Sequence, residues 1–511
     1  MSFKGVWNHP LVFFFKGKLV HILCFNKCQE TSIVYFTEYN IYTYFCGMIQ
    51  NDTIIALATP SGVGAIAVIR LSGEKAIEIA DEFFRPIKRT KSLITEASHT
   101  IHLGHLVHQD TILDEVLVAV FKNPRSYTGE NVVEISCHGS RFIQQEIIQL
   151  FLKNGCRMAD NGEFTMRAFL NGKMDLSQAE AVADVIASNS AASHQMAIQQ
   201  MRGGITNELK VLRTQLLDFA ALIELELDFS GEDVEFADRS KFKELVAKIT
   251  LVLKRLIDSF AFGNAMKNGI PVAIIGEPNV GKSTLLNTLL DEEKAIVSDI
   301  AGTTRDAIED ELVIHGVAFR FIDTAGIRET KDFVENIGIK KAYEKAENAQ
   351  LILFLIDAHK FIDSSEEFLQ EIKVIKKRFP NKRLLVIANK IDTLSCHDTA
   401  ILQSEIEHLI LLSAKQKTGI EALKSHLTSL VNTGALSNNE TIVTNSRHFE
   451  ALTHALAAIH AVQEGIDLGI STDLFSIDIR ECLRHLGNIT GEYDVDKDIL
   501  GHIFGNFCIG K

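Results

Sequence analysis

The stretch G-E-P-N-V-G-K-S, from Gly276 to Ser283, decides the fold of a large part of this chain. It fits the pattern G-x-x-x-x-G-K-[ST], follows the apolar run 270–275 and leads into a helix-like segment at 284–290. In that setting the backbone N–H groups of the loop and the helix N-terminus bind phosphates. Lys282 would place its charge on the β- and γ-phosphates, and the Ser283 hydroxyl would bind Mg²⁺. The stretch therefore predicts a nucleotide-binding α/β domain.

Three further motifs follow in the order that is typical of GTPases. D-T-A-G (323–326) comes after a strand-like run, so Asp323 can reach the Mg²⁺ shell and the glycine N–H can sense a γ-phosphate. N-K-I-D (389–392) also follows an apolar run, and the Asp392 carboxylate can accept two N–H donors from guanine, a pair that adenine does not offer. S-A-K (413–415) fits the loop that closes over the base. N-K-I-D alone could be a polar turn, but four motifs in order predict binding and hydrolysis of GTP.

The residues that would organise hydrolysis differ from those of Ras-like enzymes. The segment S-D-I-A-G-T-T-R-D, 298–306, offers Thr304 as a second hydroxyl ligand for Mg²⁺. Ile327 stands where Ras-like enzymes carry the glutamine that orients water. Asn279, with the carbonyl- and hydroxyl-rich segment 298–303, could hold a monovalent cation where an arginine finger would otherwise place positive charge. The alternative is that Asn279 merely turns the loop.

Long stretches outside these motifs resemble the MnmE (TrmE) family of tRNA-modifying GTPases, over about residues 48–511. They are N-D-T-I-I-A-L-A-T-P-S-G-V-G-A-I-A-V-I-R-L-S-G (51–73), S-Y-T-G-E-N-V-V-E-I-S-C-H-G (126–139), G-E-F-T-M-R-A-F-L-N-G-K-M-D-L-S-Q-A-E-A-V-A-D-V-I (162–186) and the terminal F-C-I-G-K (507–511). The resemblance implies an α/β multidomain protein: a Ras-like parallel-sheet G domain inserted in an α-helical domain, preceded by an α+β folate-binding dimerisation domain. It also implies a homodimer that works with MnmG, a flavoprotein, in a heterotetramer. Together they would add an aminomethyl or carboxymethylaminomethyl group to C5 of the wobble uridine of tRNA.

The resemblance also assigns site residues, each by its match to a family motif. It implies K⁺ on Asn279, Ser298, Ile300 and Thr303, and Mg²⁺ on Ser283 and Thr304. Ser298 stands where threonine is frequent, and little harm is expected because that contact is a backbone one. Glu335 matches the acid that orients the attacking water through a second water, and it is the predicted catalytic residue. The predicted folate-binding residues are Arg70, Glu134, Lys173 and Lys511. Cys508 matches the terminal cysteine of the family and receives no role.

The predicted GTP contacts lie in five groups along the G domain. They are Asn279, Val280, Gly281, Lys282, Ser283 and Thr284; Ser298, Asp299, Ile300, Ala301, Gly302, Thr303 and Thr304; Asp323, Thr324, Ala325 and Gly326; Asn389, Lys390 and Asp392; and Ser413, Ala414 and Lys415. The implied cofactors are Mg²⁺, K⁺ and a tetrahydrofolate derivative, with GTP as substrate and with FAD and NADH acting only through the partner.

Periodicity divides the chain into domains. Leu209, Leu212, Leu216, Phe219 and Ile223 fall on one helical face, whereas alternating runs before residue 163 indicate strands. Helices on both sides of the α/β module indicate an insertion, because the two flanks must pack on each other to bury their apolar faces. The predicted divisions are an extra segment at 1–47, the folate-binding domain at 48–163, the first helical part at 164–263, the G domain at 264–432 and the second helical part at 433–511.

Residues 1–47 differ in composition from everything after them. They hold the single tryptophan and four of the seven tyrosines, and no apolar run in them approaches the 18 residues needed to span a bilayer. They lack arginine and a small-residue cleavage site, which argues against a transit or signal peptide. Met48 stands where the resemblance begins. We expect a start codon placed too early, with a real extra segment as the alternative.

The whole-chain composition sets broad limits. A length of 511 residues suggests about three domains, and 46% apolar with 23% charged residues is typical of soluble globular proteins. The net charge of −14 does not favour nucleic acid, so the expectation of tRNA rests on the resemblance. Eight cysteines without metal-like paired spacing suggest reduced thiols in a cytoplasmic protein without a membrane association.

Two other functions compete with tRNA modification. A ribosome-assembly GTPase of the Era type would carry an RNA-binding KH module after its G domain, whereas this chain ends in helices and F-C-I-G-K. A third reading makes the N-terminal half an independent folate enzyme and the GTPase its regulator. The sequence leaves open which tRNAs, which final modification and which folate species are used.

Overall fold

The computed structural model describes residues 11–15, 18–22, 52–87, 92–109, 111–228, 239–294, 310–322, 343–344, 346–406, 409–430, 441–468, 472–491 and 510. The chain forms two compact units, residues 1–173 with 504–511 and residues 174–503. The sequence divides the chain more finely than this, and those domain boundaries stay predictions. Among the residues in these ranges, no helix is long and apolar enough to cross a membrane.

The first unit is built on a seven-stranded sheet. An antiparallel hairpin precedes it, formed by β1 (Leu11–Phe15) and β2 (Lys18–Ile22). The strands of the sheet are β3 (Thr53–Leu57), β4 (Ile66–Ser72), β5 (Phe84–Pro86), β6 (Thr100–His108), β7 (Thr111–Phe121), β8 (Val132–His138) and β9 (Cys156–Met158). Their order is β5-β6-β7-β8-β4-β3-β9, and every pair is antiparallel except β3 with β9.

Helices cover one face of this sheet and part of the other. They are α1 (Ala76–Phe83), α2 (Arg141–Lys153) and α3 (Glu163–Leu170). Helices α1 and α2 share a core with inward-facing residues of β4, β7 and β8. On the opposite face, Phe164 of α3 packs on Ile54 and Ala56 of β3 and forms a second, smaller hydrophobic cluster. The predicted α+β class of this region follows from these two layers.

The second unit begins with four helices and then a six-stranded sheet. The helices are α4 (Leu176–Ala187), α5 (Ala191–Met201), α6 (Gly204–Asp228) and α7 (Arg239–Asn268). The strands are β10 (Ile270–Ile275), β11 (Asp310–Ile314), β12 (Val317–Phe321), β13 (Leu351–Asp357), β14 (Arg383–Asn389) and β15 (Ile410–Leu411). Their order is β11-β12-β10-β13-β14-β15, with only β11 antiparallel to its neighbour. The predicted parallel-sheet G domain is confirmed.

The strands of this sheet lie where the apolar runs predicted them. All seven residues of β13 and all six of β10 are buried, as expected for parallel strands that are covered by helices on both faces. The helices that follow β10 are α8 (Lys282–Lys294), α9 (Ala358–Asp363), α10 (Ser365–Arg378), α11 (Cys396–Glu405), α12 (Ile420–Ser429), α13 (Ser446–Asp467) and α14 (Thr472–Thr490). A short 3₁₀ turn, Ile391–Thr393, follows β14.

The helices before and after the G domain share one hydrophobic core. Leu209, Leu212, Leu216, Phe219 and Ile223, the predicted stripe of α6, are all buried in it. Residues of α7, α13 and α14 belong to the same core. Each fully buried leucine or isoleucine contributes ~1.5–3 kcal/mol, so the two flanks hold each other together. The predicted insertion of the G domain into a helical domain is therefore confirmed.

A buried ion pair also joins the two flanks. Glu180 of α4 accepts hydrogen bonds from Arg447 Nε at 2.8 Å and lies 2.7 Å from His448 Nε2, both in α13. Burial alone would raise the pKa of Glu180, but His448 and Arg447 outweigh it and lower the pKa to about 2. The carboxylate therefore stays ionised at neutral pH and ties the segment before the G domain to the segment after it.

Helix α7 continues past Gly263, where the sequence suggested a boundary, and ends at Asn268. A Cβ atom at Gly263 would lie 2.2 Å from the Val443 carbonyl oxygen, so this glycine permits a close approach of the returning chain rather than ending the helix. Gly269 alone separates α7 from β10. The central strand of the G-domain sheet is thus attached directly to a helix of 30 residues.

Candidate functional site

The predicted nucleotide motifs meet at one edge of the G-domain sheet. Strands β10, β13, β14 and β15 are parallel, so the loops that leave their carboxyl ends lie side by side. Ligands of open parallel sheets bind at this edge. The described motifs at the edge are the phosphate loop (276–283), N-K-I-D (389–392) and S-A-K (413–415).

Two glycines shape the phosphate loop. Gly276 has φ +148°, and a Cβ atom there would lie 2.2 Å from the Leu355 carbonyl oxygen of the neighbouring strand. Gly281 has φ +101°, and a Cβ atom there would lie 2.2 Å from Asn389 Nδ2. Val280 between them is buried and anchors the loop in the core. The loop therefore follows a path that only glycine permits at these two positions. Without side chains there, a ligand can come close to the backbone N–H groups of the loop.

The predicted phosphate and cation ligands lie on this loop and on the first turn of α8. Lys282 Nζ donates to the carbonyl oxygens of Gly276 at 2.8 Å and Glu277 at 2.7 Å, so the ammonium lies over the loop. Ser283 follows as the second residue of the helix, and Thr284 is exposed. Asn279 has φ +62°, a conformation that asparagine tolerates better than most residues. Its geometry therefore fits both a turn residue and a cation ligand.

Asn389 connects the phosphate loop to the base loop. Its Nδ2 donates to the Val280 carbonyl oxygen at 2.7 Å, and its Oδ1 accepts from the Ala414 N–H at 3.0 Å. Both bonds are buried, and Asn389 is 3% exposed. One side-chain amide supplies the donor and the acceptor, which neither aspartate nor leucine could do. The sequence assigned Asn389 to the nucleotide but did not reveal this bridge.

The side chains of Asp392 and Ser413, both predicted to contact the nucleotide, are joined by a hydrogen bond. Ser413 Oγ donates to Asp392 Oδ1 at 2.7 Å, and a carboxylate has further lone pairs that can accept other donors. This hydroxyl holds the pKa of the Asp392 carboxyl below its ordinary value. A lowered pKa means that the acceptor form persists at neutral and mildly acidic pH. The arrangement suits two parallel N–H donors such as those of guanine.

Lys390 adds a contact that sequence reasoning missed. It has φ +69°, and its Nζ donates to Asp357 Oδ2 at 2.7 Å. Burial alone would raise the pKa of Asp357, but hydrogen bonds from Lys390 and from the His359 N–H outweigh it and lower the pKa. Asp357 is the last residue of β13. Its position at the carboxyl end of a buried parallel strand is the sequence signal that could have identified it as a residue of the nucleotide-binding edge.

Several predicted residues lie outside the described ranges. They are Ser298, Asp299, Ile300, Ala301, Gly302, Thr303, Thr304, Asp323, Thr324, Ala325, Gly326, Glu335, Cys508 and Lys511. Residues 298–304 lie between α8, which ends at Lys294, and β11, which begins at Asp310. Asp323 follows β12, which ends at Phe321. Their roles stay predictions.

In the first unit, the structure brings together Arg70 and Glu134 of the predicted folate site. They are direct neighbours on β4 and β8, and the guanidinium lies 2.8 Å from Glu134 Oε1 through both Nε and Nη2. The guanidinium carbon lies 5.4 Å from the Tyr127 ring centroid and 5.5 Å from that of Phe164. A cation within about 6 Å of an aromatic ring face is attracted to it, so both rings help to hold the guanidinium in place. Tyr127 and Phe164 were not among the predicted site residues.

Arg70 also contacts the C-terminal segment of the chain. Its Nη1 donates to the Gly510 carbonyl oxygen at 3.4 Å. Gly510 is buried with φ +99°, and a Cβ atom there would lie 2.2 Å from the Leu57 carbonyl oxygen. Lys173 lies in a separate set of contacts, with its Nζ donating to the Pro124 carbonyl oxygen at 2.9 Å. The glycine of the terminal F-C-I-G-K thus contacts a predicted folate residue.

Comparison with known proteins adds an independent line of observation. The family profile of the GTP-binding protein TrmE N-terminus matches residues 53–173, and that of the MnmE helical domain matches residues 176–508. The tRNA modification GTPase MnmE of Flavobacterium johnsoniae is 62% identical over 91% of this chain and 100% of its own length. That of Flavobacterium psychrophilum is 60% identical, with the same coverage of each chain. That of Christiangramia forsetii is 60% identical over 90% of this chain and 99% of its own.

These matches span both units of the structure. A profile that covers more than half of the chain, and relatives of 60–62% identity over nearly their full length, agree with the resemblance read from the sequence. They also agree with a glycine-shaped phosphate loop and a paired aspartate and serine at the edge of a parallel sheet. This chain belongs to the MnmE family of tRNA modification GTPases.

Proposed function

We propose that this protein hydrolyses GTP and uses the cycle to modify the wobble uridine of tRNA. With a flavoprotein partner of the MnmG kind, it would add an aminomethyl or carboxymethylaminomethyl group to C5 of the uracil, with the carbon coming from a one-carbon folate. The proposed assembly is a homodimer that joins MnmG in a heterotetramer in the cytoplasm. FAD and NADH would enter only through the partner.

The observation that carries the GTPase part is the base loop. Asp392, oriented by Ser413, offers a carboxylate to the two N–H donors of guanine, and Asn389 fixes the base loop to the phosphate loop. Lys282, at the start of α8, is placed to neutralise phosphate charge. These residues bind and orient the nucleotide. Glu335 is proposed to orient the attacking water, since Ile327 has no group that could do so.

The residues present fit Mg²⁺ and K⁺ in the chemistry of their donors. Ser283 and Thr304 are proposed to hold Mg²⁺, and both supply the hard hydroxyl oxygens that this ion prefers. Asn279, Ser298, Ile300 and Thr303 are proposed to hold K⁺ through amide and carbonyl oxygens. The cation would supply positive charge at the developing transition state, the task of an arginine finger in other GTPases.

We expect hydrolysis to depend on potassium. Exchanging K⁺ for Na⁺ at constant ionic strength should slow turnover roughly 100-fold, as for the loss of one preorganised electrostatic contact. Asn279→Gly separates the two readings of Asn279, because glycine keeps the φ +62° turn but removes the amide oxygen. Single-turnover GTP hydrolysis should then be slow in both salts. Equal wild-type rates in the two salts, or a glycine variant as fast as wild type in K⁺, would contradict the cation site.

The first unit offers a fit for the folate. Arg70 and Glu134 present a guanidinium and a carboxylate side by side, and the fused ring of a pterin carries complementary acceptors and donors. The rings of Tyr127 and Phe164 hold the guanidinium in this position. Lys173 and Lys511 are proposed to contribute charge. When bound, the folate would supply the one-carbon unit, while these residues would hold and orient it.

The proposed function is tested by mass spectrometry of tRNA nucleosides from cells with and without this protein. Wobble uridines should lose their C5 substituent in the deletion strain and regain it on complementation. Arg70→Ala should abolish modification while GTP hydrolysis continues, which would exclude a GTPase that only gates ribosome assembly. Unchanged nucleosides in the deletion strain would refute the proposal.

A further inference from the structure

A negative charge lies within the phosphate loop, and a lysine of another element pairs with it. Glu277 is the second residue of G-E-P-N-V-G-K-S, directly after Gly276. Lys360 of α9 donates from Nζ to Glu277 Oε2 at 2.7 Å. Both side chains are more than a third exposed, at 41% for Glu277 and 59% for Lys360. The ion pair therefore joins the phosphate loop to the segment that follows β13.

The carboxylate of Glu277 belongs to a residue that also contacts the phosphate-binding lysine. Lys282 Nζ donates to the Glu277 carbonyl oxygen at 2.7 Å. A nucleotide phosphate at Lys282 would therefore lie near a second negative charge in the same loop. Exposed charges interact over about 10 Å at 0.1 M salt, and like charges repel. An unpaired carboxylate at position 277 would oppose the binding of phosphates.

The other charged groups around this ion pair are mostly acidic. Burial and then the Glu277 carboxylate raise the pKa of Glu371 on α10, so a second acidic group faces the first. The hydrogen bond to Glu277 raises the pKa of Lys360, and the nearby charge of Asp357 raises it further. Asp357 has its own partner, Lys390 Nζ at 2.7 Å. In the described part of the chain, Lys360 is thus the cation that contacts Glu277.

We propose that Lys360 neutralises Glu277 and thereby determines how strongly the phosphate loop prefers GTP to GDP. Lys360 acts through Glu277, so it is a positioning residue and not a catalytic one. The repulsion that it removes grows with the negative charge of the ligand. That repulsion is therefore larger for GTP than for GDP, and guanosine does not experience it. The inference goes beyond GTP hydrolysis, because it concerns discrimination between substrate and product.

The test compares three ligands that differ in phosphate charge. Competition against a fluorescent guanine nucleotide gives the affinities of the full chain for a nonhydrolysable GTP analogue, GDP and guanosine. Lys360→Met should weaken binding of the GTP analogue roughly two- to fivefold, as for loss of one exposed ion pair. It should weaken GDP less and leave guanosine unchanged. Raising the ionic strength at constant K⁺ should reduce these differences, because salt screens exposed charges.

A second variant removes the negative charge itself. Adding Glu277→Gln to the Lys360→Met chain should restore the affinity for the GTP analogue to at least the wild-type value, because no unpaired carboxylate remains. Lys243→Met is the matched control. Lys243 on α7 pairs with Asp467 on α13 at 3.1 Å, and the two side chains are 50% and 57% exposed. This ion pair lies outside the nucleotide-binding edge, so its loss should change none of the three affinities.

The outcomes separate the inference from GTP binding itself. A wild-type chain that binds neither nucleotide would refute GTP binding, and the inference with it. Lys360→Met weakening all three ligands equally, or none, would overturn the role of Lys360 alone. A double variant as weak as Lys360→Met would show that the effect does not run through Glu277, which also overturns the inference. If Lys360→Met does not fold, Glu277→Gln alone decides, since weaker binding of the GTP analogue than in wild type would contradict a repulsive carboxylate.

Discussion

Asp392→Asn should lower the affinity for GTP roughly 100-fold and raise that for xanthosine triphosphate. The carboxylate accepts two N–H donors of guanine, whereas an amide offers one acceptor and one donor, which suits the carbonyl of xanthine at position 2. The Ser413 hydroxyl already occupies one lone pair of this side chain, so the remaining acceptors decide the preference. Competition binding with fluorescent nucleotides measures both affinities in one experiment.

The structure offers a matched control for this change. Asp398 also accepts a hydrogen bond from a serine hydroxyl, Ser395 Oγ at 2.7 Å, but lies on α11 outside the base loop. Asp398→Asn should leave both nucleotide affinities at their wild-type values. If guanine preference survives Asp392→Asn, then Asp392 does not read the base.

Glu335→Ala should slow GTP hydrolysis roughly 10²- to 10⁴-fold while leaving GTP affinity nearly unchanged. That range is typical of a positioned acid–base group, and a residue that acts only on the attacking water contributes little to ground-state binding. Single-turnover hydrolysis gives the chemical rate, and equilibrium titration with a nonhydrolysable GTP analogue gives the affinity.

Glu344→Ala is the control for Glu335, because Glu344 is an exposed carboxylate further along the same stretch of chain. It should hydrolyse GTP at the wild-type rate. A Glu335→Ala protein that hydrolyses normally would remove Glu335 from the mechanism. One that no longer binds GTP would show that the residue holds the nucleotide instead.

The G-domain fold was predictable because its strands are buried on both faces. Runs such as 270–275 and 351–356 must be continuously apolar, and they became β10 and β13 with almost the same bounds. The stripe of α6 was visible for the same kind of reason, since burial on one face imposes helical spacing. Patterns set by burial within one element can be read from the order of residues.

Features set by contacts between distant elements could not be read in this way. Gly263 looked like the end of a helix, but its meaning depends on the Val443 carbonyl oxygen, 180 residues later in the chain. The bridge from Asn389 to Val280 and Ala414 likewise joins three separate loops. In the sequence, such a position shows only that the side chain is small or polar. The residue that it contacts is fixed by the folded structure.

The direct junction between α7 and β10 means that a change in the orientation of β10 would also change the orientation of α7. A helix of 30 residues is about 45 Å long, and one glycine separates it from the central strand of the nucleotide-binding sheet. A tilt of about 5° at the sheet would sweep the far end of such a rod through about 4 Å. If a rearrangement at the bound nucleotide tilts this sheet, the far end of α7 would therefore move by about 4 Å, at a distance of about 45 Å from the sheet.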